Sequence, residues 1–189
     1  ASPNVVPGNG PIWPCMPNTE TGLKEKGFEF LAEMERLHII ADVSHLSDKA
    51  SGTLRSTAPA LAASHSNCRA LAPHCRNLTD EMIRALAEKG GIAGLNYCAS
   101  FVDAARHTRS SAAARWSGWQ STRHTSSRWA AVEVISLGSD FDGIGGQHEL
   151  ETAADMPLLA EALRREGFTE DEVEAIYWRN AYRFFKNNL

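Results

Sequence analysis

The stretch Ile39-Ile40-Ala41-Asp42-Val43-Ser44-His45 decides the fold, because a short apolar run ends there on polar residues and a histidine. A run of this length and composition is typical of a strand buried in a parallel sheet. Similar runs, each followed by polar residues, recur at 60–65, 92–97 and 132–140. Segments with apolar residues at helical spacing alternate with them, at 23–37, 47–56, 79–90, 157–166 and 169–186. This alternation predicts an α/β fold with parallel strands.

Side chains of a catalytic type follow three of the four predicted strands. His45, His65 and Asp140 each come at the C-terminal end of a short apolar run. In parallel α/β folds these ends meet on one side of the sheet, and catalytic residues gather there. Neutral imidazole and carboxylate are ligands that suit catalytic zinc. The three residues are therefore candidates for a metal site, with a hydrogen-bonded structural role as the alternative for each one alone.

The composition fits one globular domain. The chain has 189 residues, of which 43% are hydrophobic and 22% charged, and these values exclude a disordered or fibrous chain. A formal net charge of −4 gives no reason to expect nucleic-acid binding. Residues 1–20 contain five of the eight prolines and predict an irregular lead-in, so the domain is expected over 21–189.

The sequence offers little evidence of a compartment. No apolar stretch approaches the roughly 20 residues of a membrane span, and no signal peptide is visible. The four cysteines lack the spacing of a structural zinc site and are too sparse for a disulfide scaffold, so free thiols are expected. These features favour the cytoplasm.

Residues 104–131 do not match the rest of the chain. They contain five Arg, two His and three Trp among Ala, Ser and Thr, and no Asp, Glu, Lys, Ile, Leu, Val or Met. No amphipathic face can be drawn from that set, and a loop of this length is uncommon in a compact domain. We interpret the segment as foreign to the fold and produced by out-of-frame translation. Reading the coding DNA in the other two frames tests this, since a native segment should appear there as an amphipathic helix.

Four strings carry a resemblance to a known family. They are Asp-Val-Ser-His at 42–45, Ser-His-Ser-Asn at 64–67, Arg-Asn-Leu-Thr-Asp at 76–80 and Gly-Ser-Asp-Phe-Asp-Gly at 138–143. In this order and spacing they resemble the renal, or membrane, dipeptidase family of the amidohydrolase superfamily. The resemblance covers roughly residues 20–102 and 132–189.

The resemblance implies site residues and a chemistry. It makes His45 and His65 zinc ligands, Asp140 the residue that handles protons and Arg76 the residue that binds the substrate carboxylate. A guanidinium suits that task because it meets a carboxylate with two parallel hydrogen bonds. The implied reaction is zinc-dependent hydrolysis of dipeptides, with two zinc ions in the complete site of the family.

The resemblance also implies that part of the family fold is not in this chain. The family is an eight-stranded (β/α)8 TIM-type barrel, with a His-x-Asp pair on its first strand and a metal-bridging Glu on its third. No His-x-Asp string occurs here. The expected architecture is therefore the C-terminal half of the barrel, strands five to eight with their helices, lacking the ligands of the second zinc ion.

Two other interpretations stay open. In the first, the chain is an inactive fragment that needs a partner, either another copy of itself or an N-terminal half. Four strands cannot close a barrel, and the open sheet they form has exposed edges. In the second, the chain is a different amidohydrolase, such as a deaminase or lactonase, although the dipeptidase strings and Arg76 argue against that. The preferred dipeptide is not specified by the sequence.

Overall fold

A computed structural model describes residues 22–58, 60–102, 131–145 and 150–189. These residues form a four-stranded parallel sheet whose strands neighbour one another in chain order. The strands are β1 (Ala41–Asp42), β2 (Leu61–Ala63), β3 (Ile92–Leu95) and β4 (Ile135–Leu137). The predicted α/β class with parallel strands is confirmed.

Helices connect and cover the strands. They are α1 (Glu25–Arg36), α2 (Asp48–Thr57), α3 (Asp80–Glu88), α4 (Ala99–Val102), α5 (Ala131–Val134), α6 (Met156–Arg165), α7 (Glu170–Glu174) and α8 (Asn180–Asn188). A 3-10 turn, Ala153–Asp155, precedes α6, and a π-helical turn, Ala175–Arg179, joins α7 to α8. The hydroxyl groups of Ser47 and Thr79 accept hydrogen bonds from the first turns of α2 and α3, which fixes where each helix begins.

Two predicted elements are shorter than expected. The helix expected over 169–186 is interrupted by the π-helical turn. The strand expected from Val132 begins only at Ile135, because the chain before it is helical. There the Asn180 amide donates to the carbonyl groups of Val132 and Ile135, at 2.5 and 2.8 Å, and Arg183 donates to that of Glu133. Side chains of α8 thus bond carbonyl groups that would pair with the neighbouring strand if β4 were longer.

The core is divided into two main clusters. One lies between the sheet and α1 to α3 and includes Leu54, Leu61 and Leu86. The other packs the β4 side against α6 and the π-helical turn and includes Leu159 and Ile176. Together they fix the relative positions of the strands, and hence of the residues that follow each strand.

Further expectations concern the lead-in, the discordant segment, the cysteines and membrane-spanning helices. The lead-in at 1–20 and the discordant segment up to residue 130 lie outside the described residues. Cys75 is disulfide-bonded, so the expectation of free thiols is wrong there, whereas Cys68 and Cys98 are free. In the described ranges, no helix is both long and apolar enough to cross a membrane.

Candidate active site

The C-terminal ends of β1 and β2 bring the two candidate histidines into contact. The Nε2 atoms of His45 and His65 lie 2.8 Å apart, and their ring centroids are 4.8 Å apart with planes tilted by 54°. The two residues are 20 positions apart in sequence and meet because their strands pair in parallel register. Two imidazole nitrogens therefore point at one place.

A hydrogen-bond network beside the imidazoles ties the two strand ends together. The carboxylate of Asp42 accepts from the backbone N–H and hydroxyl of Ser44, at 3.0 and 2.8 Å, and from the same two groups of Ser64, at 3.0 and 2.5 Å. Burial acts to raise the pKa of Asp42, but these bonds outweigh it and hold the pKa below its usual value. Ser64 Oγ in turn lies 2.6 Å from Nδ1 of His65.

The surroundings keep both imidazoles uncharged near neutral pH. Burial is the main cause that lowers the pKa of His45, helped by the charges of Arg76 and His65. Burial also lowers the pKa of His65 and outweighs the opposing effect of Asp140. A neutral imidazole keeps a nitrogen lone pair, which is the form that binds a metal ion.

Arg76 presents a cation with unused donor capacity. The residue is only 8% exposed, its Nε donates to the carbonyl of Ser44 at 2.8 Å, and its guanidinium carbon lies 5.6 Å from the ring centre of Phe101. One terminal nitrogen, Nη2, is buried and has no hydrogen-bond partner among the described residues. Burial lowers the Arg76 pKa, yet arginine stays protonated in proteins. A buried donor without a partner is costly, and a bound carboxylate would satisfy it.

Asp140 follows β4 in a conformation that is uncommon for residues other than glycine. Its φ is +60°, and the side-chain amide of Asn96 donates to its Oδ2 at 2.9 Å. The charge of Asp140 acts on His45, His65 and Arg76. The structure therefore brings all four sequence-predicted site residues to one end of the sheet.

Two glycines allow the strand ends to approach closely. A Cβ built on Gly94 or Gly138 would lie 1.9 Å from the carbonyl oxygen of Ser64. Neither position tolerates a side chain unless the backbone moves. The approach keeps the loop that carries His65 against the end of β4, where Asp140 follows.

The donor set fits part of a metal site. Two nitrogens on one tetrahedral zinc ion are about 3.3 Å apart, so the imidazoles need to separate by only about half an ångström to share one. Across the described ranges, however, no group of three or more His, Cys, Asp or Glu side chains could hold a metal ion. His45 and His65 thus form a two-nitrogen site that needs further ligands from elsewhere.

Sequence reasoning missed the residues that support the site. These residues lie inside the strings that contain the two histidines: Asp42, Ser44 and Ser64. The signal in the sequence that could have found them is the carboxylate of Asp42, three residues before His45. The loop after β4 closes on Asp140, whose carbonyl accepts from Gly143 N–H at 2.9 Å.

Comparison with known proteins identifies the family. The model of the membrane dipeptidase family, peptidase family M19, matches residues 14–188. An uncharacterized protein of Klebsiella pneumoniae from the pqqA 5′ region is 34% identical over 178 residues, which are 93% of this chain and 64% of that protein. Dipeptidase tcpJ of Claviceps purpurea is 30% identical, over 87% of this chain and 38% of its own length.

A solved structure agrees with the sequence comparison. A metallopeptidase from Rhodobacter sphaeroides, liganded with a phosphinate mimic of the dipeptide L-Ala-D-Ala, superimposes with a TM-score of 0.79 at 31% identity. The match covers 89% of this chain and 48% of that one. The chain thus spans between about two fifths and two thirds of the length of these relatives. On the family match, the site strings and the fold, the chain belongs to the membrane dipeptidase family, peptidase family M19.

Proposed function

We propose that the chain carries half of the active site of a zinc-dependent dipeptidase. The observation that supports this most directly is the meeting of two neutral imidazoles, His45 and His65, at 2.8 Å beside the unsatisfied guanidinium of Arg76. The first group suits a metal ion and the second suits a carboxylate. A dipeptide carries a C-terminal carboxylate next to its single peptide bond, so it fits both.

Each residue has a defined task in this proposal. His45 and His65 would hold one zinc ion, which supplies a Lewis acid and a water of lowered pKa. Arg76 binds the substrate carboxylate and so limits the substrate to short peptides. Asp140 takes a proton from the attacking water and returns it to the leaving amine. Asn96 holds one oxygen of Asp140 and leaves the carboxylate with acceptor capacity for that proton.

The proposed substrate class has support from a relative. The Rhodobacter sphaeroides metallopeptidase was solved with a mimic of L-Ala-D-Ala, and its fold overlays most of this chain. A simple alanine dipeptide is therefore the first substrate to test.

We further propose that the four strands are strands five to eight of a (β/α)8 barrel. Parallel strands that neighbour one another in chain order support this, because a barrel of this type winds in the same way. In this arrangement the remaining metal ligands come from another copy of the chain or from an N-terminal half. The two-nitrogen site equally supports the alternative, an inactive fragment, for the chain by itself.

Hydrolysis of alanylalanine by zinc-loaded protein tests the function. Arg76→Lys should raise KM about 10- to 100-fold, because the bidentate contact to the carboxylate is lost. Arg69→Lys is the matched control: Arg69 lies in the same loop, but its donors bond Asp48 and the carbonyls of Cys75 and Asn77. That variant should lose stability and keep KM.

The outcomes separate the interpretations. No hydrolysis by a folded, zinc-loaded sample favours the inactive fragment, and size-exclusion chromatography then shows whether an assembled form exists. Activity with an unchanged KM in Arg76→Lys would show that another group binds the carboxylate.

A further inference from the structure

We infer that Asp42 is a positioning residue, which acts through Ser64 to fix the tautomer of His65 with its Nε2 lone pair directed at His45. The inference deepens the proposed function and rests on it for the role of His65 as a metal ligand. The tautomer itself is a property of the chain without metal and follows from the hydrogen bonds around it.

The hydrogen bonds at Asp42 all run toward its carboxylate. Its two oxygens face four donors: the backbone N–H groups of Ser44 and Ser64 and the hydroxyls of the same two residues. Three of them meet Oδ1, and the Ser64 hydroxyl meets Oδ2 at 2.5 Å. An ionised carboxylate is an acceptor only, so every one of these hydrogens points at Asp42.

The bond from Ser64 to Asp42 determines which nitrogen of His65 carries the hydrogen. A hydroxyl has a single hydrogen, and Ser64 donates it to Asp42. Toward Nδ1 of His65, 2.6 Å away, Ser64 Oγ can then only accept. Nδ1 therefore carries the hydrogen and Nε2 keeps its lone pair, which is the tautomer that a metal ion needs at Nε2.

The two imidazoles are not equivalent in the protein without metal. His65 Nε2 and His45 Nε2 lie within hydrogen-bond distance, and His65 has no hydrogen at that atom. His45 must therefore donate from its own Nε2 in the protein without metal. Binding a metal ion then requires His45 to move its proton to another atom, whereas His65 is already in the required form. Asp42 thus organises one half of the pair in advance.

Nitrogen-15 imidazole spectra of the metal-free chain, recorded at about pH 8 where histidine is neutral, test the assignment. In the wild type we expect His65 to be protonated at Nδ1 and unprotonated at Nε2. Asp42→Asn should reverse this pattern. Its amide oxygen takes the position with three donors, its NH2 group faces Ser64, and the Ser64 hydrogen is released to Nδ1 of His65.

Zinc titration of the same proteins gives a second measurement. Asp42→Asn should weaken zinc binding about 10- to 100-fold, the usual cost of losing a partner that orients a metal-binding histidine. Ser64→Ala should leave His65 as a mixture of tautomers and covers the case in which Asp42→Asn does not fold. Ser66→Ala is the matched control, because Ser66 also adjoins His65 but its hydroxyl has no partner among the described residues.

Each result decides something different. A wild-type His65 protonated at Nε2, or a tautomer that neither Asp42→Asn nor Ser64→Ala changes, overturns the inference. The expected tautomers in a chain that binds no zinc support the role of Asp42 at His65 and count against a zinc site formed by this chain alone. Zinc binding that is equally tight in wild type, Asp42→Asn and Ser64→Ala overturns the positioning role.

Discussion

The C-terminal ends of β1 and β2 are joined by side-chain hydrogen bonds, whereas those of β3 and β4 meet the end of β2 through the close approach of backbone. At the first pair, one carboxylate, Asp42, accepts four hydrogen bonds, and the two that come from Ser64 join the strands. At the second pair, Gly94 and Gly138 lie against the carbonyl of Ser64 with no room for a Cβ. The side-chain network orients metal-binding nitrogens, while the backbone contact sets the distance at which Asp140 faces them.

The largest expected effect comes from breaking the backbone contact. Gly94→Ala or Gly138→Ala places a methyl group on the carbonyl oxygen of Ser64, so the backbone must shift and the free energy of unfolding should fall by about 3 kcal/mol, the upper end of the usual cost of overpacking. Gly52→Ala is the control, because a Cβ in that helix meets nothing within 4 Å and should stabilise by about 0.5–1 kcal/mol. Urea unfolding measures all three, and a neutral Gly138→Ala would show that the strand ends are not in contact.

A smaller effect is expected from the side chain that positions Asp140. Asn96 is fully buried, donates to Asp140 and accepts from the N–H of Cys98 at 2.7 Å. Asn96→Ala leaves that N–H without its partner and should cost about 1–3 kcal/mol of unfolding free energy. It should also lower kcat while KM stays nearly unchanged, since substrate binding is assigned to Arg76. A rise in KM as large as the fall in kcat would contradict this division of tasks.

The side-chain network should show itself in acid. The pKa of Asp42 is lowered in the folded protein, so its contribution is fully present above the unfolded pKa of about 3.8 and is lost as pH falls through the folded value. Wild type should therefore lose unfolding free energy as the pH falls below about 4, and Asp42→Asn should lose less over the same range. Parallel curves for the two proteins would show that Asp42 is not the group responsible.

The smallest effect should come from the neighbouring carboxylate that the site does not use. Asp142 is exposed, and its substitution by Asn should change the unfolding free energy by no more than about 0.5 kcal/mol. Activity should stay unchanged, in contrast to Asp140→Asn. A matching loss in both variants would mean that the two aspartates share the proton-transfer role.

The strand ends were predictable because each combines a local pattern with a polar residue. Short apolar runs located β2 and β3, and the histidines and Asp140 followed from their positions at strand ends. The backbone approach of Gly94 to Ser64 was not predictable, since it joins residues 30 positions apart through the pairing of β2 with β3. The late start of β4 was also hidden, because Asn180, which bonds the preceding carbonyls, lies on a distant helix.

The most direct test of the central claim is a zinc titration of the purified, metal-free chain, with His65→Ala and His38→Asn beside it. His38 is an exposed histidine with φ +54°, a conformation that asparagine tolerates, so its substitution controls for the loss of an imidazole alone. We predict that wild type and His38→Asn bind up to one zinc ion per chain, with the remaining ligands supplied by water or by another copy of the chain, and that His65→Ala loses that ion. No zinc bound by the wild type, or equal affinity in all three proteins, would contradict a metal site at His45 and His65.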